Sequence, residues 1–269
     1  MKDDTRFMCW RCSKTFKRQK FLDAHLNRKF PCKIIEPDDL VENSDEEEEE
    51  YNFSFSELPT FDFDNFFEKT KFPTICLIGV RRAGKTTWIK HFYQYLKTLY
   101  DMTFFISNSI HNKEVYGFVD GCSFPKHEPS MFNDILHFAY KTNNLLTTLL
   151  IMDDCISRGS RAESNLAQIF FRGRNSKIGL ILSTQSTVYC EKSNRQNCDL
   201  YLIANGPAEH RKFIVEHLLD GLVKVPKRYN KKGIRMQYLK SFFIEKTKDY
   251  NFIVVDNIKQ KLYSFQVPF

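Results

Sequence analysis

The chain has 269 residues and a net charge of +7, and its charges are strongly partitioned along the sequence. Residues 1–33 carry a net +7, residues 34–71 carry −12 and residues 72–269 carry +12, which predicts a polyanionic partner and a solvated spacer between two basic blocks. The sequence lacks the apolar core of a signal peptide and any stretch long enough to span a bilayer. We therefore expect a reducing compartment, in which the eight cysteines are metal ligands or free thiols rather than disulfides.

The first predicted element is a zinc finger in residues 1–33. It contains three cysteines and one histidine at finger spacing: Cys9, Cys12, His25 and Cys32. A hairpin would carry the first two ligands and a helix His25, with Phe16 and Leu22 as a small core. About thirty residues bury too little apolar surface to fold alone, so bound Zn²⁺ is expected to supply the order. A basic arm with scattered cysteines is the alternative.

Residues 34–71 divide into an acidic and an aromatic part. Residues 38–50 include five consecutive glutamates and little that is apolar, which predicts a flexible linker. Six phenylalanines follow among polar residues: Phe53, Phe55, Phe61, Phe63, Phe66 and Phe67. We expect them to pack as a strap on the next domain, because bulky aromatic side chains rarely stay solvated. Docking of a partner is the alternative.

Residues 72–269 alternate between strand and helix patterns. Strands are predicted at 74–79, 102–107, 145–152, 179–183 and 200–204, and helices at 85–99, about 130–142, 161–173 and 207–221. This alternation predicts an α/β domain with a mostly parallel sheet covered by helices on both faces. Two apolar runs at 252–256 and 262–267 predict a hairpin added at the sheet edge.

Residues 79–86 read G-x-x-x-x-G-K-T, the phosphate-binding P-loop, between a predicted strand and a predicted helix. Backbone N–H groups of such a loop turn onto phosphate oxygens, Lys85 reaches the terminal phosphates and the Thr86 hydroxyl binds Mg²⁺. The predicted nucleotide-binding residues are Gly79, Arg82, Ala83, Gly84, Lys85, Thr86, Thr87 and Asp153. A glycine turn without a ligand is the alternative.

Two carboxylates end the apolar strand predicted at 145–152. Asp153 is predicted to hold Mg²⁺ together with Thr86, and Asp154 to orient or activate the attacking water. Two adjacent acidic residues favour hydrolysis over simple nucleotide binding. A strand capped by a polar turn is the alternative reading.

The next predicted strand adds an amide and two arginines. Gln185 follows its end and is predicted to contact the γ-phosphate or its water. Arg172 and Arg174 precede the strand, and either could act as an arginine finger on the nucleotide of a neighbouring subunit, with Arg174 favoured. The alternative for Gln185 is a loop residue that hydrogen-bonds only within the protein, and the alternative for the two arginines is a basic surface turn.

The order of these motifs resembles the FtsK–HerA class of ring ATPases and, more narrowly, the poxvirus-type genome-packaging ATPases of large DNA viruses. The resemblance covers about 74–205 and includes Arg195, Asn197 and Asp199, which match the family's Arg-x-Asn-x-Asp segment. The arginine turn in that family usually reads R-G-R-H, whereas Asn175 stands in the last place here. The Cys-Cys-His-Cys finger separately resembles zinc fingers of giant viruses.

The resemblance implies a P-loop NTPase that hydrolyses ATP with Mg²⁺, forms a homo-oligomeric ring and moves double-stranded DNA into a capsid. It implies a capsid or portal protein as partner, and a location in the host cytoplasm, in a viral factory, and in the virion. Residues 224–235 hold six basic side chains, which are either a strip that contacts DNA phosphates or a solvated loop. The alternatives are a P-loop kinase with a small substrate and a nucleotide-switched zinc-finger adaptor.

Overall fold

The computed structural model describes residues 7–8, 15–16, 18–27, 53–126, 130–155, 162–185, 192–206 and 208–268. The chain divides into two compact units, Met1–Asn52 and Phe53–Phe269. The acidic run at 38–50 and the predicted zinc ligands Cys9, Cys12 and Cys32 lie outside the described residues.

The described part of the first unit consists of a short antiparallel hairpin and a helix: β1 (Phe7–Met8), β2 (Thr15–Phe16) and α1 (Gln19–Leu26). Leu22 is buried, and the rings of Phe16 and His25 lie 5.0 Å apart. Within the described residues, no three His, Cys, Asp or Glu side chains cluster as metal ligands. Zinc binding therefore stays a prediction.

The second unit is built on an eight-stranded sheet. Its strands are β3 (Thr74–Ile78), β4 (Met102–Ser107), β5 (Cys122–Phe124), β6 (Thr148–Asp153), β7 (Ile178–Thr184), β8 (Leu200–Ile203), β9 (Asn251–Asp256) and β10 (Lys261–Gln266). They lie in the order β10-β9-β8-β3-β7-β6-β4-β5. The six strands from β8 to β5 are parallel, and β9 runs antiparallel to both of its neighbours, β8 and β10. The mostly parallel sheet and its edge hairpin are as predicted.

Helices cover both faces of this sheet. They are α2 (Phe63–Lys69), α3 (Lys85–Thr98), α4 (Lys113–Tyr116), α5 (Met131–Lys141), α6 (Ala162–Arg172), α7 (Lys192–Gln196), α8 (Ala208–Ile214) and α9 (Lys232–Lys246). Alternating strand residues enter two separate apolar clusters, one shared with α2 and α3 and the other with α5, α6, α8 and α9. Both faces are thus covered, as predicted. No helix in the described ranges is long and apolar enough to cross a bilayer.

Several boundaries differ from the sequence predictions. The strand predicted at 145–152 begins at Thr148, because Asn143 and Asn144 adopt left-handed turn conformations with φ of 50° and 55°. The helix predicted at 207–221 is α8 followed by a π-helical segment, Val215–Leu219. Helices α2, α4, α7 and α9 and the edge strand β5 were not predicted.

The aromatic segment at 53–67 packs within the second unit. Phe53 and Phe55 contact the Tyr238 ring of α9, with ring centroids 5.2 and 5.0 Å away. Phe63 lies on the opposite face of the sheet, 5.3 Å from the Trp88 ring of α3. The phenylalanines therefore contact both faces of the domain.

Candidate functional site

The P-loop connects β3 to α3 at the carboxyl edge of the sheet, where the parallel strands end. Gly84, the last residue before α3, has a φ of 87°, a left-handed conformation that glycine adopts without steric cost. At Gly79, a Cβ would lie 2.9 Å from the Ala204 Cβ, so this position accepts only glycine without a shift of its neighbours. The Gly79 N–H donates to the Thr184 carbonyl at 3.2 Å. Backbone conformation and close packing thus hold the loop against the ends of β7 and β8.

Lys85 is buried inside this loop. Its Nζ donates hydrogen bonds to the carbonyl oxygens of Gly79 and Val80, each at 3.0 Å, and lies 3.7 Å from Asp154 Oδ2. Burial lowers the Lys85 pKa, and the nearby carboxylates of Asp154 and Asp153 oppose that shift. The ammonium is therefore held inside the loop, between its carbonyl oxygens and Asp154.

Asp153 ends β6 with one oxygen engaged and the other unused. Oδ2 accepts hydrogen bonds from Thr86 Oγ1 at 2.7 Å and from the Tyr116 hydroxyl at 3.0 Å. Oδ1 is buried and makes no hydrogen bond to any described residue. Burial, reinforced by Asp153, raises the pKa of Tyr116 to about 12, so its hydroxyl stays protonated and donates. A carboxylate with a spare oxygen beside a hydroxyl is the hard-oxygen set that suits Mg²⁺, so these residues fit the predicted metal.

Asp154 follows β6 with a φ of 46°, and its side chain turns towards the P-loop. Its Oδ2 accepts a hydrogen bond from Gln185 Nε2 at 3.1 Å, whereas Oδ1 is buried with no hydrogen-bond partner among the described residues. Burial raises the Asp154 pKa, with Lys85 acting in the opposite direction. The strand order explains this meeting, because β7 lies between β3 and β6 and its end places Gln185 beside Asp154.

Sequence reasoning missed two polar side chains at this edge. Tyr116 lies on α4, where no motif marks it, so only the fold brings it to Asp153. Asn108 follows the end of β4, and its Nδ2 donates to the Asp154 carbonyl at 3.4 Å. The rule that parallel strands end at one edge would have found Asn108, since it follows a strand that was predicted.

The predicted arginines lie at the opposite edge of the sheet, where the parallel strands begin. Arg172 is exposed at the end of α6, and Arg174 follows just before β7. The Arg174 guanidinium pairs with the buried carboxylate of Asp199, whose Oδ2 also accepts a hydrogen bond from the Thr74 N–H at 2.8 Å. Within one chain, neither arginine is brought to the P-loop.

The fold has clear structural relatives at low sequence identity. B204, the DNA-packaging ATPase of Sulfolobus turreted icosahedral virus, matches with a TM-score of 0.52 and 18% identity, covering 74% of this chain and 100% of B204. The genome packaging NTPase B204 of Sulfolobus turreted icosahedral virus 2, in complex with AMPPCP, matches with a TM-score of 0.52 and 16% identity, covering 73% of this chain and 98% of that one.

A cellular relative has the same fold. The cytoplasmic domain of the type VII secretion ATPase EccC of Thermomonospora curvata matches with a TM-score of 0.50 and 13% identity over 78% of this chain and 24% of EccC. No protein-family model matches the chain, and no curated protein matches its sequence. At these identities the comparison shows the fold alone, which is that of P-loop NTPases.

Proposed function

We propose that this chain hydrolyses ATP and uses the reaction to translocate double-stranded DNA, as the genome-packaging ATPase of a DNA virus. The observation that carries hydrolysis is the meeting of Lys85, Asp154 and Gln185 at adjacent strand ends. Nucleotide binding needs the P-loop alone, whereas a partly buried carboxylate oriented by an amide is what activation of a water requires.

Each residue of the site has a distinct task in this proposal. The loop amides and Lys85 would bind the β- and γ-phosphates, and Thr86 with Asp153 would hold Mg²⁺. Bound magnesium neutralises the charge that develops on the phosphate oxygens. Asp154 Oδ1 would accept the proton of the attacking water, and a raised pKa suits a carboxylate that must take up a proton. Gln185 orients Asp154 through the hydrogen bond to Oδ2.

The proposal of DNA translocation rests on the likeness to B204 and on a basic surface. Four cationic side chains in the strip at 224–235 are exposed: Lys224, Lys227, Arg228 and Lys231. Arg235 pairs instead with Asp220. Exposed cations at this density are suited to DNA phosphates. By extension from the packaging ATPases, we propose a ring, a capsid or portal partner, and a location in the host cytoplasm, within a viral factory, and in the virion.

The ring proposal gives Arg172 or Arg174 a role on the neighbouring subunit. A guanidinium at the γ-phosphate of that subunit would stabilise charge in the transition state. The test mixes inactive Arg174→Ala subunits with inactive Lys85→Ala subunits. Some interfaces in the mixed rings would then join an intact P-loop to an intact Arg174, and activity should partly return. Asp199→Asn, which removes the ion pair but keeps Arg174, separates this role from a purely structural one. No recovery in mixed rings that demonstrably form would contradict action across the subunit boundary.

We further propose that residues 1–33 bind Zn²⁺ and tether DNA, RNA or a protein. The support is the finger spacing and the hairpin-helix order of the described residues. One finger reads about three base pairs, too few to specify a genomic address, so tethering is favoured over sequence recognition.

The decisive experiment is phosphate release from ATP by the full chain, with and without duplex DNA. We expect Mg²⁺-dependent hydrolysis without any acceptor molecule, stimulation by DNA, and loss of both in Lys85→Ala. Phosphate transfer only to an added small acceptor would support the kinase alternative. ATP binding without turnover under all conditions would support the adaptor.

A further inference from the structure

The arrangement of the site fixes the direction in which a bound nucleotide would run, and the inference that follows rests on the proposed function. Asp153, Asp154 and Gln185 lie on the β6 and β7 side of the P-loop, so the terminal phosphate belongs on that side. The nucleoside must then leave the loop on the other side of β3, where β8 and β9 lie.

Tyr250 lies on that side, immediately before β9. Because β9 runs antiparallel to β8, with Ile203 paired to Ile253, its first residues stand at the carboxyl edge of the sheet beside the P-loop. A Cβ on Gly84 would lie 3.8 Å from Tyr250 Cδ1 and 3.6 Å from Phe252 Cε2. Phe252 is fully buried, whereas half of the Tyr250 side chain is exposed. Tyr250 therefore lies beside the loop, close to Gly84, and keeps a solvent-accessible surface.

A tight turn holds this tyrosine in place. Asp249 and Tyr250 both have left-handed backbones, with φ of 52° and 59°, and this conformation is unfavourable for a bulky residue such as tyrosine. The Asn251 N–H donates to the Lys248 carbonyl at 2.9 Å, and Gln266 Nε2 donates to the Asp249 carbonyl at 3.1 Å. The turn is thus built into the hairpin rather than left free.

We propose that Tyr250 binds the base of the nucleoside triphosphate by stacking its ring on the base. Stacking between a base and an aromatic side chain accepts any base, because each base has a π-face. Tyr250 would therefore raise affinity for ATP and GTP alike and leave the choice between them to other groups. It is a binding residue that acts before chemistry, so its loss should raise KM more than it lowers kcat.

The test compares a ligand that has a base with one that has none. Binding of MgATP, MgGTP and inorganic tripolyphosphate is measured by calorimetry for the wild type, Tyr250→Ala, Tyr250→Phe and Lys85→Ala. Tyr250→Ala should weaken ATP and GTP about tenfold and leave tripolyphosphate unchanged. Tyr250→Phe should bind all three like the wild type. Tyr140→Ala, an exposed tyrosine on α5, is the matched control and should change nothing.

Other outcomes would overturn the inference in distinguishable ways. Equal weakening of ATP and tripolyphosphate in Tyr250→Ala would mean that the tyrosine only supports the loop. Unchanged ATP binding would exclude any contact with the base, while loss of both ligands in Lys85→Ala would leave the ATPase proposal standing. If Tyr250→Ala fails to fold, photolabelling of the wild type with 8-azido-ATP decides instead. The label should fall within 248–252, and labelling elsewhere alone would refute the proposal.

Discussion

Asp154→Asn should leave MgATP bound while hydrolysis nearly stops. In the wild type, Asp154 Oδ2 accepts a hydrogen bond from Gln185 at 3.1 Å and lies 3.7 Å from Lys85 Nζ. Asparagine keeps the shape and can still accept the Gln185 bond, but it cannot take a proton from water. Binding should survive, because Thr86 and Asp153 retain the oxygens assigned to the metal.

The magnitude follows from the role. Loss of a general base lowers turnover by about 10²–10⁴, which is about 3–5 kcal/mol of activation free energy. Burial raises the Asp154 pKa above its ordinary value of 3.8, so the folded state disfavours the ionised carboxylate. That penalty is fully present above the raised pKa and is relieved as the pH falls through it. At neutral pH the substitution should therefore leave the melting temperature unchanged or raise it.

Three measurements check this reasoning: single-turnover phosphate release, equilibrium ATP binding and thermal unfolding. The wild-type rate should fall as the pH decreases, with a midpoint at a pH above 3.8, the ordinary pKa of an aspartate. Asp154→Asn should lack this decrease of the rate at low pH. Asp134→Asn, an exposed carboxylate on α5, is the control and should behave like the wild type. Turnover of Asp154→Asn within about threefold of the wild type would refute the role of a general base. A melting temperature of Asp154→Asn below that of the wild type would contradict the predicted effect on stability.

Three further predictions concern the loop, the basic strip and the finger. Gly79→Ala should cost about 1–3 kcal/mol of unfolding free energy, because the new methyl group would overlap that of Ala204. Gly233→Ala is the control and should be neutral or slightly stabilising, since no atom lies within 4 Å of its new methyl group; equal melting temperatures of the two variants would contradict this prediction. Lys227→Ala should reduce the salt dependence of duplex binding by about one phosphate contact, and an unchanged slope would remove that lysine from the interface. Metal analysis should find one zinc per chain, and Cys9→Ser should lose it while ATP binding persists; a zinc-free wild type would exclude the finger.

The site was predictable where strand ends carry the chemistry. Asp153, Asp154 and Gln185 stand at or just after the ends of apolar strands, Lys85 follows β3 through the P-loop, and parallel strands end at one edge of the sheet. The sequence alone could not give the strand order. The position of β7 between β3 and β6 is a result of packing, and it is what brings Gln185 within 3.1 Å of Asp154.

The missed elements had signals that other features obscured. In α2, Asp62 caps the helix by accepting a hydrogen bond from the Asn65 N–H at 3.0 Å, but the surrounding phenylalanines suggested an irregular strap. In α9, the buried residues Leu239 and Phe243 repeat at four-residue spacing, yet the basic residues that precede them drew attention to the surface. Tyr250 lies beside Gly84 although 166 positions of sequence separate them, and no local pattern predicts that they are neighbours.

The ion pair of Arg174 sets a condition on its proposed role in a ring. Asp199 is buried and uses one oxygen for Arg174 and the other for the Thr74 N–H at the start of β3. If Arg174 moved to a neighbouring phosphate, this carboxylate would lose its only ion pair among the described residues, and an unpaired buried charge is costly. The transition-state contact must therefore outweigh that cost, or a cation of the neighbouring subunit must replace Arg174 at Asp199. Arg172, which is exposed, faces no such condition, so the choice between the two arginines depends on how subunits meet at this edge.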